Sequence, residues 1–533
     1  MKEISLPQDI KDSMIEVEQI ARNGCNLDYF PVMMNLVDAG TLMEVASYTG
    51  MPKRFPHWRW GMIQKSMEKQ QDWGLSRFYE LVINTNPCIA YLAEENPLVV
   101  QTMVMAHVYG HADFFKNNHL FANTNRNMHN SMSDHAERVT YYQQRKSIGQ
   151  AEVEKFLEVC FSLENLIDNY ALVFDARPLL DDEDIQTNVQ AKNEKSCCTS
   201  GGCGTGACGG CDDTPSSKDS DDDYRLRVDK PYMDSFINTP EFIEEMRQKA
   251  ARKKEKKKVF PSIPQRDILR FLIKHSEGMT PWQKDLLSMI REEAYYFAPQ
   301  RRTKIMNEGW AVYWHRVIME DYGLAARDDF IHYAKVNAGV LAMPPGNINP
   351  YAVGYMLWND IKERWDKGKH GKEYDREKNV AKRENWDTGE KKGLEKMFQV
   401  RESMDDLIFL HEFLTQEFLE KNKFYSFDLD QRDNWYKITS RETDEIRNRI
   451  MAPLINCGEP MIEVLDGNYN NAGELLLLHT SYDGRILEKH TRIKTLKNLL
   501  KVWGRPVHVI TVDKEKPVIF SCVNNTIKKT QLT

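Results

Sequence analysis

Residues 97–118 read PLVVQTMVMAHVYGHADFFKNN, and the fold turns on how this stretch is read. Pro97 suits the first turn of a helix, where the N–H it lacks would have no partner anyway. Beyond it, Val100, Met103, Val104, His107, His111, Phe114 and Phe115 recur at i, i+3, i+4 spacing. That is one face of an α-helix, so a helix is predicted over 97–116. The face is apolar apart from two imidazoles four residues apart. On a helix both project to the same side, close enough to grip one cation. The same spacing also occurs in core histidines that are simply hydrogen-bonded.

A second segment bears on that choice. Asn307-Glu308-Gly309-Trp310-Ala311-Val312-Tyr313-Trp314-His315 lies on a helix predicted over 301–322. Its stripe of Glu308, Ala311, Val312, His315 and Met319 is apolar except for Glu308 and His315. Burying a bare carboxylate is costly, so Glu308 must be paired, protonated or metal-bound. His107, His111 and Glu308 together form a His₂Glu set that suits Zn²⁺ with an open water position, or non-haem Fe²⁺. His135 and His315 are further ligands, partners behind the ligands, or ordinary core histidines. The alternative is that Glu308 bonds a buried Arg, Trp or His and does no chemistry.

One position breaks the zinc-peptidase pattern. In HExxH enzymes the general base follows the first histidine. Here that residue is Val108, which cannot take a proton. Asp113, Glu137 and Glu293 are the candidate bases. Without a base, a metal still polarises a carbonyl or serves redox chemistry. The amides in Asn84-Thr85-Asn86-Pro87 and Asn117-Asn118 either bind an amide-bearing substrate or cap turns and helices.

Outward from these segments the chain falls into four stretches. Residues 1–178 are one helical half of a core. Residues 179–259 are an insert of Cys/Gly-rich and charged sequence that cannot bury enough apolar surface to order itself, apart from one helix over 239–251. Residues 260–425 are the second helical half. Here Pro281 opens a helix that Tyr296-Phe297-Ala298-Pro299 closes. Residues 426–533 are a small α+β domain: MIEVLDG, ELLLLHT, VHVITV and VIFSC are strands, and Thr491 to Trp503 is a helix. The fold class expected is mainly α, with a small C-terminal α+β domain.

Five of the ten cysteines fall in the insert: Cys197, Cys198, Cys203, Cys208 and Cys211. The spacing of Cys203, Cys208 and Cys211 matches three ligands of a plant-type [2Fe–2S] cluster. Flanks of Gly, Thr, Ser and Asp supply no apolar shell, so a Cys-rich loop is the favoured reading over an Fe–S cluster. In 533 residues, 72 Lys and Arg face 79 Asp and Glu. This small acidic excess gives no general reason to bind nucleic acid. No run approaches the roughly 18 apolar residues that span a bilayer, and the N-terminal stretch has no secretory apolar core. A cytoplasmic protein with reduced thiols is expected.

The same residues resemble a known family. Tyr48-Thr49-Gly50-Met51-Pro52 with Pro56-His57-Trp58, YELVINTNPCIAYL at 79–92, AHVYGHADFFKNN at 106–118, MNEGWAVYWH at 306–315 and NINPYAVGY at 347–355 are similar to SpoVR proteins, named for stage V sporulation protein R. The resemblance runs nearly end to end, and the 179–259 insert is its least family-like part. It implies a cytoplasmic bacterial protein tied to spore cortex formation, with protein partners in cell-wall or stress pathways. Similar members in non-sporulating bacteria imply other settings too. Glu308-Gly309-Trp310-Ala311 also resembles the EGWA segment of some helical metallopeptidases, where the glutamate completes a zinc site begun by a distant histidine pair. That likeness implies a metallopeptidase-like helical core with His107, His111 and Glu308 as ligands.

Three functions follow from these readings: a metal-dependent hydrolase or amidase-like enzyme, a non-catalytic regulator or scaffold of cortex assembly, and an Fe²⁺-dependent redox enzyme at the same triad.

Overall fold

In the computed structural model the stretch around His107 forms one helix of 20 residues, α1 (Leu98–Asn117). The structure describes residues 6–72, 80–171, 238–245, 260–325, 329–343, 348–430, 432, 435–482 and 484–532. Every residue of α1 from Val99 to Phe115 is buried. The sequence pattern suggested one apolar face, yet the helix is enclosed on all sides, as its Val, Met, Ala and Phe content allows.

A small sheet lies in the same N-terminal part: β1 (Val32–Val37), β2 (Glu80–Ile83) and β3 (Cys88–Ala93), in the order β1-β3-β2. β1 runs parallel to β3, with Val32 opposite Cys88, and β2 runs antiparallel, with Ile83 opposite Ile89. Helical periodicity alone did not reveal these strands. Apolar runs of four to six residues read the same in a buried strand and a buried helix.

Seven further helices position the site, in chain order. They are α2 (Met128–Gln144), α3 (Pro281–Arg302), α4 (Lys304–Arg316), α5 (Phe330–Val340), α6 (Pro350–Asp366), α7 (Gly393–Ser403) and α8 (Asp406–Phe413). A capping box of Thr280 and Gln283 opens α3. The helix does not close at Tyr296–Pro299 but runs through Pro299 to Arg302. A proline this near the C-terminal end disturbs only the last turns. After Thr303 the chain turns into α4, whose first amides are held by Asp406: its two carboxylate oxygens accept from the N–H groups of Ile305 and Met306 at 2.8 and 2.9 Å. The single helix expected over 301–322 is thus α4 followed by a π-helical turn, Val317–Asp321. α4 packs on α1, and α6 packs on α4.

Farther on, β4 (Ser426–Asp430) and β5 (Trp435–Ser440) form an antiparallel ribbon. The C-terminal part holds the four strands and the helix read from the sequence, plus one more strand. β6 (Met461–Tyr469), β7 (Glu474–Thr480), β8 (Val507–Asp513), β9 (Lys516–Val523) and β10 (Thr526–Gln531) stand in the order β10-β9-β8-β7-β6, with α9 (Lys489–Trp503) between β7 and β8 in the chain. β10 carries only one apolar residue, Ile527, and so gave no strand signal. The architecture is mainly helical, with a five-stranded C-terminal sheet.

The chain divides into two compact units. The larger comprises Met1–Phe174, Gln265–Val464 and Leu477–Thr533; the smaller comprises Asp175–Pro264 and Leu465–Leu476. Cys197, Cys198, Cys203, Cys208 and Cys211 lie outside the described residues. Of the helix expected over 239–251, residues 240–245 are described and helical. Among the described residues, no helix is long and apolar enough to cross a membrane.

Candidate metal centre

Small residues bring the two motifs together. A Cβ added to Gly110, between His107 and His111, would sit 2.7 Å from the Cα of Ala311 on α4. A Cβ on Gly309, next to Glu308, would sit 2.4 Å from the Cα of Gly354 on α6. Neither position tolerates a side chain at this separation. The glycines of HVYGH and EGWA are therefore the contact points that let α1, α4 and α6 approach backbone to backbone.

At this contact Glu308 faces both imidazoles. Its Oε2 is 3.4 Å from His111 Nε2 and 3.9 Å from His107 Nε2. The two rings are 4.6 Å apart, nearly perpendicular. One ligand atom from each of His107, His111 and Glu308 lies within 4.8 Å of the other two.

Hydrogen bonds behind the rings fix which nitrogen faces the carboxylate. His111 Nδ1 is 2.9 Å from Asn307 Oδ1, an acceptor, so Nδ1 carries the proton. His315 Nε2 is 3.2 Å from Asn337 Oδ1 and must donate to it, which leaves its Nδ1 as an acceptor. That nitrogen is 3.0 Å from His107 Nδ1, which therefore donates. In this tautomer the Nε2 of His107 presents a lone pair toward Glu308. It is buried, with no hydrogen-bond partner among the described residues. An orphaned imidazole nitrogen beside a carboxylate, oriented by an outer hydrogen bond, is what a cation ligand needs. The donor set therefore fits a divalent metal.

The electrostatics agree. Burial works to raise the Glu308 pKa, but the neighbouring His107 and His111 outweigh it and hold the carboxylate well below its usual range. Burial disfavours the charged form of His111, yet Glu308 and Asn307 lift its pKa above the ordinary value. His315 is held neutral, chiefly by burial. Glu308 is thus held ionised beside the two rings.

Two residues at this site were not singled out from the sequence. Glu80, the first residue of β2, has its Oε1 3.9 Å from His107 Nε2. Burial, with the charge of Glu308 adding to it, raises its pKa. Tyr351, in the first turn of α6, stacks on His107 with ring centroids 6.2 Å apart. Burial and the charges of Glu308 and Glu80 raise its pKa. Both residues lie inside motifs quoted above, YELVINTNPCIAYL and NINPYAVGY. The only signal was a lone Glu at the head of a strand and a Tyr after a Pro, each too common to choose.

The remaining sequence candidates have other partners. Asp113 Oδ2 accepts from Arg401 Nη1 at 2.6 Å and Trp310 Nε1 at 2.8 Å, while its Oδ1 accepts from the Asp28 amide at 2.9 Å. Glu293 is bound by Arg54 at 2.5 Å and by His135 Nδ1 at 3.1 Å. Glu137 is exposed and pairs with Lys53 at 3.0 Å. His315 reaches Glu308 only through His107. Asn84 receives Arg126 and donates to Thr124, Asn117 donates to the Asp28 carbonyl, and Asn118 donates to the carbonyls of Arg401 and Met404. The side chains of Asn84, Asn117 and Asn118 are thus bonded within the fold.

Comparison with known proteins places this geometry in a family. Residues 5–459 match the model described as SpoVR like protein, and residues 460–514 match the SpoVR-like C-terminal domain. The chain is 27% identical over 525 residues to the uncharacterized protein YcgB of Escherichia coli (strain K12), covering 92% of this chain and 89% of that one. No solved structure matches it. The histidine pair, the EGWA glutamate and the glycines that join them all fall within the longer match, and the chain belongs to the SpoVR family.

Proposed function

We propose that this protein is a metal-dependent hydrolase, amidase-like in its chemistry, with His107, His111 and Glu308 holding one divalent ion. The observation that supports the reading most is the buried, unpartnered Nε2 of His107, aimed with that of His111 at the Glu308 carboxylate. A His₂Glu set accommodates Zn²⁺ and equally Fe²⁺. When bound, such an ion lowers the pKa of a water and polarises a carbonyl.

The chain's own residues supply the rest. His315 and Asn337 keep His107 in the Nδ1–H tautomer, and Asn307 does the same for His111. Glu80 stands beside His107 with no Lys or Arg partner among the described residues, so its carboxylate is free to accept a proton. It takes the role that Val108 cannot fill. The side chains of Glu80 and Glu308 are 20% and 18% exposed, against 6% for His107, so the acidic side of the site is the one open to a substrate. The family name points to a cytoplasmic role linked to spore cortex or cell-wall formation, with precursors or regulators of the wall as the substrates.

Elemental analysis tests the proposal. Protein purified without chelator should carry one divalent metal per chain. His107→Ala and Glu308→Ala should lose it, and Glu80→Gln should keep it. Wild-type protein without metal sinks the reading.

A further inference from the structure

A cavity of about 630 Å³ lies within the larger unit, apart from the histidines. It is bounded by the N-terminal ends of α4 and α6, the strand β4 with the turn before it, and residues 446–454. Its size is that of a small-molecule site, for which about 300–1,000 Å³ is usual. Nothing in the proposed hydrolase reaction uses it.

Its chemistry has two parts. Phe424, Ile446, Ile450 and Leu454 give it an apolar wall. Arg301, Lys304, Lys423 and Arg449 give it four cations against a single acid, Asp406. Both oxygens of Asp406 accept from the first amides of α4, and among the described residues it forms no ion pair with any of the four. Arg449 is partnered by Asp428 and the Phe427 carbonyl, and Arg301 by the amides of Asn165 and Asn169. Lys304 and Lys423 are exposed and have no acidic partner among the described residues. Ser426, 1% exposed, also lines the cavity, and its hydroxyl has no hydrogen-bond partner among the described residues. Buried hydroxyls are normally satisfied, so this one is a polar atom that the fold leaves unpaired at the cavity wall.

We propose that this cavity binds a single-chain amphiphile with an anionic head, its chain against Phe424, Ile446, Ile450 and Leu454 and its carboxylate or phosphate beside Lys304 and Lys423. An apolar wall adds nothing for a small free anion, and uncompensated cations repel a cationic amphiphile and gain nothing from a neutral one. Only a molecule with both features satisfies both parts. The site is independent of the histidines, so it stands or falls apart from the hydrolase reading.

Calorimetric titration of the full-length protein with dodecanoate, dodecyl phosphate and the neutral dodecyl maltoside, each below its micelle concentration, tests this. One anionic amphiphile should bind per chain, and the tighter of the two identifies the head group. Each pair of added methylenes should tighten binding about tenfold. Lys304→Glu/Lys423→Glu, at two exposed positions, should weaken both anions at least tenfold. His107→Ala should bind them as the wild type does. Failure of both anions to bind, equal binding of the neutral amphiphile, or unchanged affinity in the double variant overturns the proposal.

Discussion

His315 Nδ1 lies 3.0 Å from His107 Nδ1, a buried contact between residues 208 apart in the chain. His315 is itself anchored by Asn337 on α5, so three helices determine which nitrogen of His107 faces Glu308. A carboxylate or carbonyl usually orients a metal-binding histidine from behind. Here a second histidine stands behind His107, kept neutral chiefly by burial.

The first prediction follows from that relay. His315→Ala should weaken metal affinity by roughly 10–100-fold, the usual cost of losing a residue that orients a ligand. His107→Ala should abolish it. Competition with a chromogenic chelator measures both, and equal losses in the two variants would make His315 a ligand rather than a positioning residue.

The glycine contacts give a second. Gly110→Ala and Gly309→Ala place a methyl where backbone already stands, at 2.7 Å and 2.4 Å from the nearest Cα on the facing helix. Each should destabilise the protein by about 1–3 kcal/mol, the cost of overpacking. Each should also lower metal affinity by forcing α4 away from its neighbour. Urea unfolding with a metal titration checks the pair. Gly61→Ala, at a helical position where an added Cβ meets nothing within 4 Å, is the control.

Asp113 supplies a third. Its carboxylate is fully buried and accepts from Arg401 and Trp310. Asp113→Ala leaves the Arg401 guanidinium buried without its partner, which should cost about 3–5 kcal/mol. Denaturant unfolding reads this directly. A variant of unchanged stability would return Asp113 to the list of candidate catalytic groups.

The fourth concerns pH. Burial alone would lower the pKa of His135, but Glu292 and Glu293 outweigh it and lift the value from 6.5 to about 9. Its folded value is above its unfolded value. The stability it contributes is therefore fully present below pH 6.5 and is lost as pH rises from there toward 9. Thermal unfolding followed from pH 6 to 9.5 should show a decline over that window, and His135→Gln should flatten it. A wild-type curve that rises across the window contradicts the assignment.

Much of this protein was written locally. The stripe from Val100 to Phe115 required a helix with His107 and His111 on one side, because both lie one turn apart on the same face. The four apolar strands and the helix of the C-terminal part were legible for the same reason: each is a run whose period matches one kind of backbone. The motifs around Glu308 were legible as chemistry, since a carboxylate on an apolar stripe demands a partner.

What tertiary structure alone decided is who that partner is. Sequence offered Asp113, Glu137 and Glu293 as candidate bases, and folding paired them with Arg401, Lys53 and Arg54. Glu80 sits 27 residues before His107 on a separate strand, and no local pattern connects them; only the packing of β2 near α1 does. The relay from Asn337 through His315 to His107 likewise joins three helices. Secondary structure follows from contacts a few residues apart, which a sequence displays. A site is built from contacts hundreds of residues apart, and here they exist only because Gly110 and Gly309 let the helices close.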